Sequence, residues 1–140
     1  MTLSKLNVGD QASSTVLIDA ARTIDFLGAQ LRIYATPELV RDIELTCLNF
    51  LVPYLAPGEA SVGTDVQIKH SGATLLGMQV NITVTVTHID RRSIGFSVLA
   101  SDGVEEICRG SHARFVLDVE KLRGRAAGKA EQVRLMAAGA

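Results

Sequence analysis

Two ionisable side chains on the apolar faces of consecutive segments give this sequence its chemistry. The segment Thr36-Pro-Glu-Leu-Val-Arg-Asp-Ile-Glu-Leu-Thr-Cys-Leu-Asn-Phe-Leu51 repeats with a helical period. At about 100° per residue, Leu39, Val40, Ile43, Cys47, Phe50 and Leu51 share one side, while Glu38, Arg41 and Asp42 take the other. Glu44 does not join the polar side; it falls at the rim of the apolar stripe, between Leu51 and Leu48. A carboxylate placed there needs a partner or a purpose, because burying it unpaired is costly. Residues 61–70 read as a strand, with Val62, Thr64, Val66, Ile68 and His70 on one face and Gly63, Asp65, Gln67 and Lys69 on the other. Glu44 and His70 thus point at the same helix–strand seam, where a carboxylate and an imidazole form an acid/base pair. The pattern gives their direction and leaves their separation open.

The elements that hold these two residues are marked by their ends. Thr36 reads as the N-cap of the helix, with Pro37 at the first helical position and Glu38 in the first turn. Pro53 ends the regular helix or admits one more distorted turn to Leu55. Ala56-Pro-Gly-Glu59 is a turn. Upstream, 13–23 reads as a short strand, and 24–35 as loop with helical turns. Downstream, Val80, Ile82, Val84 and Val86 alternate with Asn81, Thr83, Thr85 and Thr87, a strong strand signature over 78–90. Arg91-Arg92 turns into a strand at 93–100, and Ser101-Asp-Gly103 turns into another at 105–119. The tail beyond Lys121 is basic and reads as a helix or a disordered end, solvated in either case.

One long apolar helix and a meander of strands predict an α+β protein, an antiparallel sheet wrapped around a central helix as in the hotdog fold. The expected domain covers residues 1–122, with 123–140 as the tail. Such a sheet leaves edges open, and a homodimer is the expected remedy.

Composition narrows the classes. At 140 residues the chain suffices for one core and not two. A net charge of −1 argues against nucleic-acid or membrane attraction across the chain. No apolar run reaches the roughly 20 residues of a membrane span, and residues 1–10 lack a secretory pattern, so the expected location is cytoplasmic. Cys47 lies on the helix stripe as a small core residue, and Cys47 and Cys108 are too few for a disulfide framework. Histidine and cysteine spacing gives no metal site.

Tyr54-Leu-Ala-Pro-Gly-Glu-Ala-Ser-Val-Gly-Thr64, followed by Lys69-His-Ser-Gly-Ala-Thr74 and Gly77, resembles the fluoroacetyl-CoA thioesterase-like hotdog proteins. Ser101-Asp-Gly-Val-Glu-Glu-Ile107 and Gly110-Ser-His-Ala-Arg114 continue the likeness, which spans roughly 35–121. The resemblance implies hydrolysis of an acyl-CoA thioester to free acid and CoA, with no metal and no cofactor beyond the CoA of the substrate. It implies catalytic roles for Thr36, Glu44 and His70, the last two already singled out by periodicity, and supporting roles for Gly63 and Arg114 near the site. Two departures, proline at position 37 and a segment Gly28-Ala-Gln-Leu-Arg-Ile-Tyr34 without the family's phenylalanine-bearing lid, point to an acyl group other than fluoroacetyl.

In the expected mechanism Glu44 is nucleophile or general base towards water, and His70 carries the proton on the thiolate side. Thr36 polarises the carbonyl, attacks it, or only caps the helix. Lys69, Arg91 and Arg92 are candidate cations for the CoA phosphates. A solvated turn explains them equally, as a satisfied core imidazole explains His70. His112, beside Arg114, reads as structural or interfacial. A hotdog dehydratase or hydratase and a non-catalytic acyl-CoA-binding dimer are the alternative functions.

Overall fold

The expected helix forms over Thr36–Leu51 as α1, in a computed structural model that describes residues 3–139. Pro37 sits in the first turn, where its missing N–H would have had no partner. A 3₁₀ turn at Val52–Tyr54 supplies the extra distorted turn around Pro53. The N-cap, however, is Ala35 and not Thr36: the Leu39 N–H bonds the Ala35 carbonyl. Thr36 is therefore the first helical residue, with its hydroxyl free for another contact.

Five antiparallel strands form one sheet in the order β1-β3-β4-β5-β2. They are β1 (Gln11–Leu17), β2 (Glu59–His70), β3 (Gln79–Asp90), β4 (Ser93–Ser101) and β5 (Glu106–Asp118). The first strand lies earlier than the expected 13–23, because Asp19 caps a 3₁₀ turn at Ala20–Arg22 and stops it. The segment 24–35 is loop with one 3₁₀ turn at Ala29–Leu31, as expected, pinned by isolated bridges from Thr23 to Tyr34 and from Ile33 to Leu75.

Leu39, Ile43, Cys47 and Leu51 of α1 are fully buried, as are Val80, Ile82, Val84, Ile94, Phe96 and Val116 on the sheet's inner face. At about 1.5–3 kcal/mol for each large aliphatic side chain removed from water, this helix–sheet seam is the principal source of stability. It is the expected α+β hotdog arrangement, but the four strands after α1 are not one meander: only β3, β4 and β5 neighbour in sequence, and β2 crosses over to pair with β5. Burial pushes the Cys47 thiol up to about 12 and the Cys108 thiol up to about 11, as inert core thiols require.

Two expectations about faces fail. Asp42, assigned to the polar side of α1, is 3% exposed, because partners from outside the helix reach it. In β2 the pairing with β5 slips between Gly63 and Asp65, leaving Thr64 as a bulge. One extra residue reverses every face before it. Ser61 and Gly63, not Val62 and Thr64, therefore share the inner face with Val66, Ile68 and His70.

The tail folds as helix α2 (Val119–Ala138), capped by the Asp118 carboxylate and buried nowhere along its length. No helix among the described residues is long and apolar enough to cross a membrane.

Candidate active site

Thr36 and His70 meet where α1 begins and β2 ends. The hydroxyl oxygen lies 2.8 Å from His70 Nδ1. The other ring nitrogen, Nε2, is buried without a hydrogen-bond partner among the described residues. An orphaned buried polar atom costs about 1–3 kcal/mol, so a retained one marks where a ligand atom completes the set. Burial holds His70 below the ordinary imidazole range, partly offset by the Gly72 backbone; the ring is neutral at pH 7. The pair opens into a cavity of about 350 Å³ whose apolar wall is Ile24, Phe26, Ile33 and Ala73.

Behind His70 stands a second tier. The Tyr34 ring meets the imidazole edge-on, with centroids 6.2 Å apart. Its hydroxyl donates to Asp42 Oδ2 at 2.6 Å, and Arg22 clamps the same carboxylate from Nε at 2.9 Å and Nη2 at 3.2 Å. Burial and the bond to Asp42 raise the Tyr34 phenol well above its usual range, so it stays a donor. Asp42 thus fastens the loop before α1 to α1 itself.

Glu44 belongs to a different cluster. A Cβ on Gly63 would stand 3.4 Å from Glu44 Oε2, 3.5 Å from Arg114 Nη1 and 3.2 Å from His112 Cε1. The absence of a side chain at Gly63 leaves the space into which these three groups converge. Arg114 is 3% exposed. Its Nε donates to Ser61 Oγ and its Nη2 to the Ser61 carbonyl, both at 2.8 Å. His112 Nδ1 lies 2.8 Å from the Asp65 carbonyl oxygen, which only accepts, so Nδ1 carries the proton. Nε2 is then the acceptor for Arg114 Nη1 at 3.2 Å. Burial, aided by the Arg114 charge and opposed by the bond to the Asp65 carbonyl, holds His112 below the ordinary imidazole range. Glu44 makes no hydrogen bond or ion pair among the described residues, so its carboxylate faces Arg114 with its acceptor positions open.

The sequence-predicted residues therefore fall into two groups within one protomer: Thr36 with His70, and Glu44 with Gly63 and Arg114. Eight residues of α1 separate Thr36 from Glu44, about 12 Å along the helix. Gly63 and His70 are roughly 20 Å apart along β2. No hydrogen bond joins the groups. Lys69 is exposed on the outer face, paired in register with Arg109. Arg91 is exposed in the β3–β4 turn with a left-handed φ of 57°. Neither touches either group. His112, Ser61, Tyr34 and Asp42 complete the site without having been assigned to it from sequence. A signal existed for one of them: His112 and Arg114 are two apart on a strand and so share a face. No group of three or more His, Cys, Asp or Glu side chains among the described residues is placed to hold a metal ion.

A sequence profile of the family described as fluoroacetyl-CoA-specific thioesterases matches residues 18–120. The fluoroacetyl-CoA thioesterase of Streptantibioticus cattleyicolor is 37% identical over 93 residues, 66% of this chain and 67% of that protein. A solved structure of the fluoroacetyl-CoA thioesterase FlK superposes with a TM-score of 0.81 at 30% identity, covering 89% of this chain and 97% of that one. A variant of that enzyme in complex with fluoroacetate and CoA gives 0.77 at 31% identity, covering 84% and 99%. A Thermus thermophilus hypothetical protein of the thioesterase superfamily shares the fold, with a TM-score of 0.84 at 22% identity over 92% of this chain and 96% of that one. The protein belongs to the fluoroacetyl-CoA-specific thioesterase family.

Proposed function

We propose that the protein hydrolyses an acyl-CoA thioester to the free acid and CoA, as a homodimer in which each site draws on both protomers. The family supports thioester hydrolysis. The observation that carries the mechanism is the Thr36–His70 contact with Nε2 left unpartnered.

The Thr36 hydroxyl donates to Nδ1, so the neutral ring carries its proton on Nε2. Thr36 Oγ1 attacks the thioester carbonyl carbon as its proton passes to Nδ1. The Nε2 proton then goes to sulfur as the C–S bond breaks, and CoA leaves as the thiol. Free N–H groups in the first turn of α1 stabilise the oxyanion. Water next attacks the acyl-threonine while the Glu44 carboxylate takes its proton. The Nδ1 proton returns to Thr36 as the acid departs, and the proton held by Glu44 restores Nε2.

This sequence needs Glu44 beside His70, which one protomer does not provide. Strand β2 supplies the remedy: it is an edge of the sheet, twelve residues long, without proline. Two copies related by a two-fold axis pair these edges antiparallel. With the axis at Gln67, Val66 faces the partner's Ile68, and Asp65 faces the partner's Lys69 with opposite charge. Because Thr64 is bulged out of the ladder, His70 then lies across from the partner's Gly63, the residue against which the partner's Glu44 rests. Lys69 becomes an interface residue.

Subunit complementation tests the reading. Glu44→Gln and His70→Ala each abolish release of free thiol from acyl-CoA. Mixed and reassembled, they form heterodimers holding one intact site, and about a quarter of wild-type activity returns by statistical pairing. Activity confined to one protomer would leave the mixture dead.

A further inference from the structure

Helix α2 has no packing reason to stand where it does: none of its residues is buried, and a lone helix gains little from propensity. Its charge is distinctive. It carries five of the chain's fourteen basic residues and two of its fifteen acidic ones, leaving nine basic against thirteen acidic elsewhere. Arg123 and Arg134 are tied to Glu120 and Glu131. Lys121 and Arg125, one turn apart on one face, have no carboxylate partner among the described residues. Both line a cleft of about 240 Å³ where α2 leaves β5, together with Arg92 and Phe115.

The acidic groups of the cleft are already engaged. Glu59 accepts from Arg92 at 2.8 Å and from the Ala56 N–H at 2.7 Å. Asp118 accepts from the Glu120 and Lys121 N–H groups. Two unpaired cations beside a 38% exposed phenylalanine match an anionic group carried on an aromatic base.

We propose that this cleft binds the phosphates and adenine of CoA, with the pantetheine arm lying in an apolar groove that leads to Glu44. The proposal rests on the acyl-CoA reading above. The groove, about 450 Å³, is walled by Leu48, Leu55, Ala56 and Ala60 and reaches Ser61, which holds Arg114. Glu59 lines both cavities, so the groove and the cleft adjoin across one side chain. From Gly63, beside the Glu44 carboxylate, to Glu59 is about 13 Å along β2, a span suited to an extended pantetheine. The rest of the chain repels a polyanion, and α2 supplies the attraction that brings it in. The cations that serve CoA are on this account Lys121 and Arg125, with Arg92 fixed by Glu59, rather than Lys69.

Calorimetric titration of the full chain tests the site without requiring turnover. Wild type binds adenosine 3′,5′-bisphosphate, and binds CoA more tightly because the arm adds groove contacts. Lys121→Ala with Arg125→Ala weakens both by roughly tenfold, and Lys121→Arg with Arg125→Lys restores them. In turnover the double alanine variant raises KM for acyl-CoA by a similar factor, with kcat unchanged. Hydrolysis of the matching N-acetylcysteamine thioester, which lacks the nucleotide, is not affected. Absent nucleotide binding in wild type, or equal affinity in the alanine variant, overturns the site. Failure of wild type to hydrolyse either thioester overturns the thioesterase reading instead, and the titration still decides the cleft.

Discussion

The Thr36 hydroxyl lies 2.8 Å from His70 Nδ1, and the far nitrogen of the same ring is buried with nothing to bond. In the proposed mechanism one side of the imidazole serves Thr36 as nucleophile and the other is open to the ligand. His70→Ala removes both functions and is expected to lower kcat by about 10²–10⁴. Thr36→Ala removes the nucleophile, whereas Thr36→Ser keeps the hydroxyl and retains measurable turnover. Steady-state kinetics with a thiol reagent checks the order; equal activity of Thr36→Ala and Thr36→Ser sinks the threonine's role.

If Glu44 acts in the second half of the reaction, as proposed, its loss should halt the enzyme with the acyl group attached. Glu44→Gln mixed with acyl-CoA is expected to release one equivalent of CoA per site and then stop. Intact-mass spectrometry should show the acyl increment, and peptide mapping should place it on Thr36. An increment found on position 44 of the wild type would make the carboxylate the nucleophile.

The helix and the strand signatures were legible because each rests on local pattern. Pro37, the apolar stripe and Pro53 bracket α1 without reference to anything else, and the valine alternation of β3 does the same. Glu44 and His70 stood out for the same reason, each being polar on an apolar face. What escaped was non-local. The bulge at Thr64 leaves no mark in the pattern, yet it decides that Gly63 and not Val62 faces the helix. Asp42 looked like a surface residue because its partners, Tyr34 and Arg22, lie outside α1. Within one protomer Glu44 and His70 stand in separate groups, and the convergence proposed through a second chain is encoded by no spacing within one sequence.

Asp42 makes the loop before α1 sensitive to single changes. Tyr34→Phe removes the 2.6 Å hydroxyl donor and should cost about 1–3 kcal/mol. Arg22→Ala strips the carboxylate of its counter-ion, and breaking a buried pair from one side costs about 3–5 kcal/mol, less here because Arg22 is partly exposed. Urea denaturation measures both. Tyr34→Phe should also lower kcat, since the ring that packs on His70 loses its tether to Asp42; unchanged stability in both variants would remove the anchor.

Two imidazoles, His70 and His112, are held below the ordinary value of 6.5 chiefly by burial. The unfolded chain protonates them near that ordinary value while the folded one does not, so the unfolded state binds more protons in the interval between. Stability therefore rises with pH there, is lost as pH falls from about 6.5 through the lowered folded values, and levels off below them. His112→Gln removes one titrating group and should flatten the profile. Chemical denaturation at steps from pH 5 to pH 8 shows the slope; a flat wild-type profile contradicts the burial argument.

The edge pairing through β2 makes a prediction about charge. Asp65 and Lys69 are both exposed in the isolated protomer, where exchanging them costs little, but the proposed two-fold axis at Gln67 would set each against the other in the partner strand. Asp65→Lys places two ammonium groups opposite each other at both ends of the pair, and Lys69→Asp places two carboxylates there. With each cross-strand pair worth about 0.2–1 kcal/mol and reversed in sign by the change, dimer dissociation constants should rise roughly tenfold or more. Combining the two substitutions in one chain restores opposite charges and should restore the dimer. Sedimentation velocity across a concentration series reads the assembly, and activity should follow it if, as proposed, the partner supplies Glu44 to His70. Single variants that remain dimeric and fully active would place the interface, or its register, elsewhere.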